Sequence, residues 1–231
     1  MKFHGSVAFL LFCLLAYSAH AQYTENQGWV FLTHTQKLDK KLDLLFDAQT
    51  RTANRYVYMN TLLLRGGLNY HLNDEQAFAF GFAYKADRDK TGDIFEYTNE
   101  QRIYEQYQLT FGIKRVEMML RARLEQRWIR ESSTNFSQRA RIFISTQIPL
   151  FANEDFSKGI YTGIQNEIFL NVTNKRHTNE QVFDQNRAFA SAGYRWSKSI
   201  DTELGYMFWY QPEKDNTFKR GVIQLQITTS F

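Results

Sequence analysis

From Val116 to Trp128 apolar and charged side chains take turns. Val116, Met118, Leu120, Ala122, Leu124 and Trp128 fall on one side. Glu117, Arg121, Arg123, Glu125 and Arg127 fall on the other, and only Met119 and Gln126 break the pattern. Wound as a helix, this segment would spread its charges all round; as a strand it separates them, because side chains alternate between two faces. The same period recurs. Ala140, Ile142, Ile144 and Ile148 oppose Arg139, Arg141, Ser145 and Gln147. Ile164, Ile168, Leu170 and Val172 oppose Gln165, Glu167 and Asn171, and Leu42, Leu44, Phe46 and Ala48 oppose Asp43, Asp47 and Gln49. Phe78, Phe80, Phe82 and Tyr84 oppose Ala79, Gly81 and Ala83; Leu204, Tyr206 and Phe208 oppose Glu203, Gly205 and Met207.

The pattern predicts strands over Leu42–Thr50, Tyr56–Tyr70, Gln76–Lys85, Thr98–Gly112, Val116–Arg130, Arg139–Leu150, Ile160–Val172, Phe183–Trp196, Ile200–Tyr210 and Val222–Phe231. Many are about 10–15 residues long, beyond the five or six usual in soluble sheets and enough for a tilted strand to cross a bilayer and project beyond it. Short turns at Leu72–Glu75, Lys114-Arg115 and Ser197–Ser199 alternate with longer polar joins at Asp87–Phe95, Glu131–Ser137, Thr173–Glu180 and Pro212–Lys219. Phe151–Gly159 is a longish join on the short-turn side. That alternation matches membrane barrels, whose periplasmic turns are short and outer loops long. The expected fold is therefore an all-β, antiparallel up-and-down transmembrane barrel of about 10–12 strands. Ten strands would leave both ends of the barrel on one side. Gly28–Gln36 reads as an eleventh and spoils the parity; it would pair outside the membrane, enter the lumen, or signal a twelfth.

Composition agrees with this picture. Mean hydropathy is −0.49, which excludes a bundle of membrane helices but not a barrel, where apolar and polar residues average out. Aromatics are 16% of the chain, too many for a disordered protein. At strand ends Tyr56, Tyr58, Tyr70, Tyr84, Trp128, Tyr194, Trp196, Trp209 and Tyr210 suit interfacial girdles. Lys2, the apolar run Val7–Ala16 and Ala19-His20-Ala21 read as a signal peptide over residues 1–21, leaving a barrel domain over 22–231. The single Cys13 falls in that leader, so cysteine chemistry is not expected of the mature chain. Without Lys2, 27 basic residues face 24 acidic ones, too even a balance to suggest nucleic acid as a partner. The expected location is the cell outer membrane, with its lipids as partners.

If the apolar faces meet lipid, the opposite faces line the lumen. They carry Glu100, Arg102, Arg121, Arg123, Glu125, Arg127, Arg139, Arg141, Glu167 and Arg187, the candidate polar network, with Arg65, Asp43, Asp47, Glu117 and Glu203. Two uses are open. One is a salt-bridged core that fixes register and excludes bulk flow; the other is a narrow solute path or an arginine-lined pocket for an anion. Glu105 resists the pattern: it falls toward lipid with Ile103 and Tyr107, unless a bulge shifts the register or a loop or protein contact covers it. Ile223, Leu225, Ile227, Thr229 and the terminal Phe231 share one face, resembling the signal read by the barrel-assembly machinery, a partner during biogenesis.

Glu100-x-Arg102 with Gln106, Arg121-x-Arg123-x-Glu125-x-Arg127, Glu167-x-Phe169-x-Asn171, Gln185-Asn186-Arg187 and Leu204-Gly205-Tyr206 follow one another in this order, after Trp29 and Gln49-x-Arg51. Over nearly the whole mature chain this resembles the uncharacterised outer-membrane family called domain of unknown function 2490. The resemblance implies a Gram-negative outer-membrane β-barrel with no established activity. No cofactor or metal motif stands out. Two other classes compete with a non-enzymatic barrel. A membrane lipid hydrolase would need one of His34, His71 or His177 beside a serine, and none has a Ser two residues along on its own strand face. A soluble periplasmic lipid-binding barrel would need the apolar faces turned inward.

Overall fold

The computed structural model describes residues 25–130, 132–214 and 217–231. The leader expected over residues 1–21, with Cys13, lies outside the described residues. Eleven strands make up the described chain: β1 Glu25–Lys37, β2 Leu42–Thr52, β3 Met59–His71, β4 Gln76–Thr91, β5 Ile94–Ile113, β6 Val116–Arg130, β7 Thr134–Ala152, β8 Gly159–Thr173, β9 Phe183–Ser197, β10 Ile200–Pro212 and β11 Thr217–Ser230. Two single-turn 3-10 segments, Asn54–Tyr56 and Lys175–His177, sit in the connections.

Each strand pairs antiparallel with the next, and β1 closes the barrel against β11. That last pairing is parallel, running from Glu25 opposite Arg220 to Thr35 opposite Ser230. Parity requires it: in an up-and-down sheet of odd number, the first and last strands point the same way. Gly28–Gln36 is therefore neither a plug nor an accessory strand but the closing stave. Both ends of the barrel do not lie together, as an even count would have had it. Glu25 stands at the long-loop end, while Phe231, whose N–H donates to Thr35 O at 3.0 Å, stands at the short-turn end.

The faces segregate as the alternation predicts. Phe78, Phe80 and Phe82 of β4 are about half exposed on the outer wall, while Ala77, Ala79 and Ala83 are buried inside. Around the wall Leu32, Phe46, Leu64, Leu68, Ile142, Ile164, Leu204 and Ile223 also face outward. The interior holds Glu100, Arg102, Arg123, Glu125, Arg127, Arg139, Arg141 and Glu167, each less than a tenth exposed. This radial order is the reverse of a soluble lipid-carrying barrel, so the inward-apolar alternative does not describe this chain. Small residues on β3 and β4 make room inside. A Cβ on Gly81 would come within 2.4 Å of the Tyr104 ring and of Gly66 O, so Tyr104 can lie flat against the wall only because Gly stands there.

Two expectations change. Asp87–Phe95 is not a loop: β4 and β5 continue as a paired hairpin to Thr91 and Ile94, rising beyond the other strands at the long-loop end. No bulge occurs at Glu105, which pairs in regular register with Phe80 and Leu124. It points outward and accepts a hydrogen bond from Gln126 Nε2 at 3.0 Å, a polar pair on an otherwise apolar stretch of wall.

Candidate functional site

Strands β5 to β9 carry a network of guanidinium and carboxylate groups through the long-loop half of the lumen. Arg102 Nε and Nη2 donate to the two oxygens of Glu100, each at 2.8 Å, and Arg127 donates to the same carboxylate. Glu125 accepts from Arg139 at 2.7 and 3.0 Å and from Arg141 at 2.6 Å, with Arg123 3.9 Å and Arg102 4.0 Å away. Glu167 accepts from Arg141 at 2.8 Å and from Arg121 at 2.9 Å. Such forked, charge-assisted bonds are the strong kind; Arg127–Glu100, Arg139–Glu125, Arg141–Glu125 and Arg141–Glu167 tie neighbouring strands together. Nine of the ten residues proposed from the sequence thus join one continuous cluster.

The tenth, Arg187, is placed differently. Its guanidinium lies 5.0 Å from the Trp29 ring, 4.6 Å from Trp209 and 4.8 Å from Phe169. On the same Trp29 ring Arg51 stacks at 3.9 Å. Their polar partners are neutral: Gln49 Oε1 accepts from Arg51 at 2.9 Å and Gln185 Oε1 from Arg187 at 3.4 Å. In this cluster, counting Arg51 and Arg187, eight arginines meet four carboxylates, the fourth being Asp184, which accepts from Arg139 at 3.0 Å; beside it Lys85 pairs with Asp87 and Arg220 with Glu25, leaving the excess unchanged. An apolar wall completes this level: Trp29, Phe189, Met207 and Val222 are buried together, with Phe31 and Trp209 against them.

The short-turn half has the opposite sign. Asp43, Glu117, Asp201 and Glu203 face it. Arg195 ties the floor, donating to Glu117 and Asp201 at 2.9 Å, Gln147 at 2.8 Å and the Phe156 carbonyl at 3.0 Å. It thereby holds the β7–β8 turn across this end, with Phe156 edge-on to Tyr161. In the same turn the side chain and N–H of Ser157 hold the Asp155 carboxyl below its usual range. Between the two halves lies a cavity of about 860 Å³ reached by residues of all eleven strands.

The histidines are dispersed. His34 Nδ1 lies 2.8 Å from Thr229 Oγ1 on the outer wall; His71 Nε2 lies 2.6 Å from Asp43 Oδ2 in the lumen; His177 sits in an exposed turn beside Arg176. No serine is bonded to any of them among the described residues.

Several site residues escape the alternation. Asp184 is the extra residue of a bulge between β8 and β9, where Phe169 faces Gln185 and Leu170 faces Phe183. A bulge turns one residue out of phase, and period two passes over it. Trp209, expected in a lipid-interface girdle, instead lines the lumen, because Phe208, Trp209 and Tyr210 are aromatic in succession and conceal the phase.

Fold and interior together define a closed β-barrel, apolar outside and charged within. The chain belongs to the family described as Protein of unknown function (DUF2490), whose model matches residues 26–220. No curated protein and no solved structure matches it.

Proposed function

We infer that this chain is an outer-membrane β-barrel, delivered by a leader cleaved after Ala21, whose lumen serves as a binding chamber rather than an open pore or a catalytic centre. One observation carries the reading: outside a few polar pairs such as Glu105–Gln126, large apolar side chains face outward around the wall, and the arginine and carboxylate groups are buried inside. In water that order would expose leucine and phenylalanine while burying charge, both unfavourable; against hydrocarbon the outer half becomes favourable. Strands of 11 to 20 residues meet or exceed the roughly 9–11 needed to cross a bilayer. Trp128, Tyr70 and Trp196, exposed near strand ends, suit the headgroup level. Phe231, exposed just beyond β11, supports reading of this end by the assembly machinery.

An occluded lumen follows from the stacked Arg51–Trp29–Arg187 bridge, which joins β2 to β9, and from the Arg195 floor behind it. Fractionation of cells producing the full chain tests the location. The account expects recovery in outer membranes, release only by detergent, and gel migration that changes on boiling. Recovery in the soluble periplasm without detergent overturns it.

A further inference from the structure

The long-loop half of the lumen holds more positive charge than its carboxylates neutralise, and the surplus is concentrated. Among the described residues neither Arg51 nor Arg187 has a carboxylate oxygen within salt-bridge distance, yet both stack on one indole. Two like charges buried side by side are unfavourable unless something of opposite sign joins them. Cation–π contacts, about 0.5–2 kcal/mol each, offset only part of that.

The unpaired atoms point the same way. Buried side-chain atoms without a hydrogen bond include five N–H donors on lumenal side chains, Arg51 Nε, Arg121 Nε, Arg123 Nη1, Arg187 Nε and Trp209 Nε1, against one lumenal amide acceptor, Asn171 Oδ1. Buried donors are normally satisfied, and these five belong to side chains that line one cavity, which favours a group there that accepts. That group cannot be inorganic alone, because the other side of the chamber is apolar: Phe31, Phe189 and Met207 border it. The acidic floor beyond, with Glu203 and Asp201, would hold an anion at the arginine level.

We propose that this half of the lumen binds a small organic anion with an apolar body. Its carboxylate sits between the guanidinium groups of Arg51 and Arg187, which line the cavity, and its body lies against Phe31, Phe189 and Met207. The ligand enters from the long-loop end. The proposal depends on the lumen's geometry and not on where the barrel resides, so fractionation and binding fail separately.

Isothermal titration of the full chain, refolded in detergent, with benzoate, benzyl alcohol and inorganic phosphate tests it. Saturable one-site binding of benzoate is expected, with benzyl alcohol and phosphate each at least tenfold weaker. Arg51→Gln and Arg187→Gln should each weaken benzoate at least tenfold, since each removes a charged donor from the bound carboxylate. Lys198→Gln, outside the lumen, should leave it unchanged. Each variant is first shown to keep the boiling-dependent gel shift, so loss of binding is not loss of fold. Absence of benzoate binding, benzyl alcohol binding as tightly, or benzoate binding unchanged in both folded arginine variants overturns the proposal. Phosphate binding more tightly than benzoate overturns the apolar body.

Discussion

Replacing Glu125 by glutamine removes the carboxylate on which the lumen network converges. Arg139 and Arg141 bond it directly, and Arg123 and Arg102 lie within about 4 Å. A unit charge pair at 4 Å is worth about 4 kcal/mol at an effective dielectric of 20. Four such partners far exceed what glutamine returns through lower desolvation and one retained acceptor. Taking one partner from a buried ion cluster costs about 3–5 kcal/mol, and that is the loss expected for Glu125→Gln. Arg187→Gln should do the reverse. It reduces eight arginines against four carboxylates to seven, and its only polar partner is neutral, so the barrel should become more stable. The assay is urea unfolding and refolding in detergent micelles, followed by tryptophan fluorescence, with the midpoint and slope read for each variant. A double variant, Glu125→Gln with Arg141→Gln, should recover part of the loss through a coupling energy above about 1 kcal/mol. Equal destabilisation by Glu125→Gln and Arg187→Gln would refute the reasoning, because the lumen would then be balanced rather than cation-rich.

Other consequences follow from separate parts of the molecule. Gly81→Val drives a side chain into Tyr104 and Gly66 O, and should destabilise by about 1–3 kcal/mol, as overpacking does, measured by the same urea titration. Glu105→Leu should stabilise the barrel in lipid vesicles by about 1–2 kcal/mol, since an ionised carboxylate on a lipid-facing wall is unfavourable; no gain on moving from detergent to vesicles argues against a lipid-facing wall there. Phe231→Ala should lower the amount assembled in outer membranes without altering the refolded protein's midpoint, compared by immunoblot and urea titration. In planar bilayers the refolded chain should give no sustained conductance, and a steady open channel would contradict the Arg51–Trp29–Arg187 bridge.

Much of the wall is legible in the sequence because outward and lumenal positions alternate along each strand. Val116–Arg130 is a strand with the boundaries its alternation predicts, and the Phe-x-Phe-x-Phe run of β4 lies outward as read. What escaped has physical causes. The closing role of β1 depends on strand parity, a property of the whole sheet that no local pattern carries. The hairpin from Asp87 to Phe95 is polar because it rises clear of the other strands, where both faces are wet, so it reads as a loop. Asp184 was missed at its bulge and Trp209 was placed outside by a run of three aromatics. The meeting of Arg51 with Arg187 is the least legible feature of all. These residues lie far apart in sequence, on strands separated by β10, β11 and β1, and only closure of the barrel brings them to the same indole.

The central claim, that the apolar wall meets lipid while charge fills the interior, divides the tryptophans. Trp128 and Trp196 lie on the outer wall, Trp29 and Trp209 in the lumen. Reconstitution into vesicles whose acyl chains are brominated near the headgroups tests it directly, using Trp29→Phe/Trp209→Phe and Trp128→Phe/Trp196→Phe variants. The account predicts strong quenching of the pair left on the wall and little of the pair left inside. Strong quenching of the lumenal pair, or a wall pair quenched by aqueous acrylamide and untouched by brominated lipid, would contradict it.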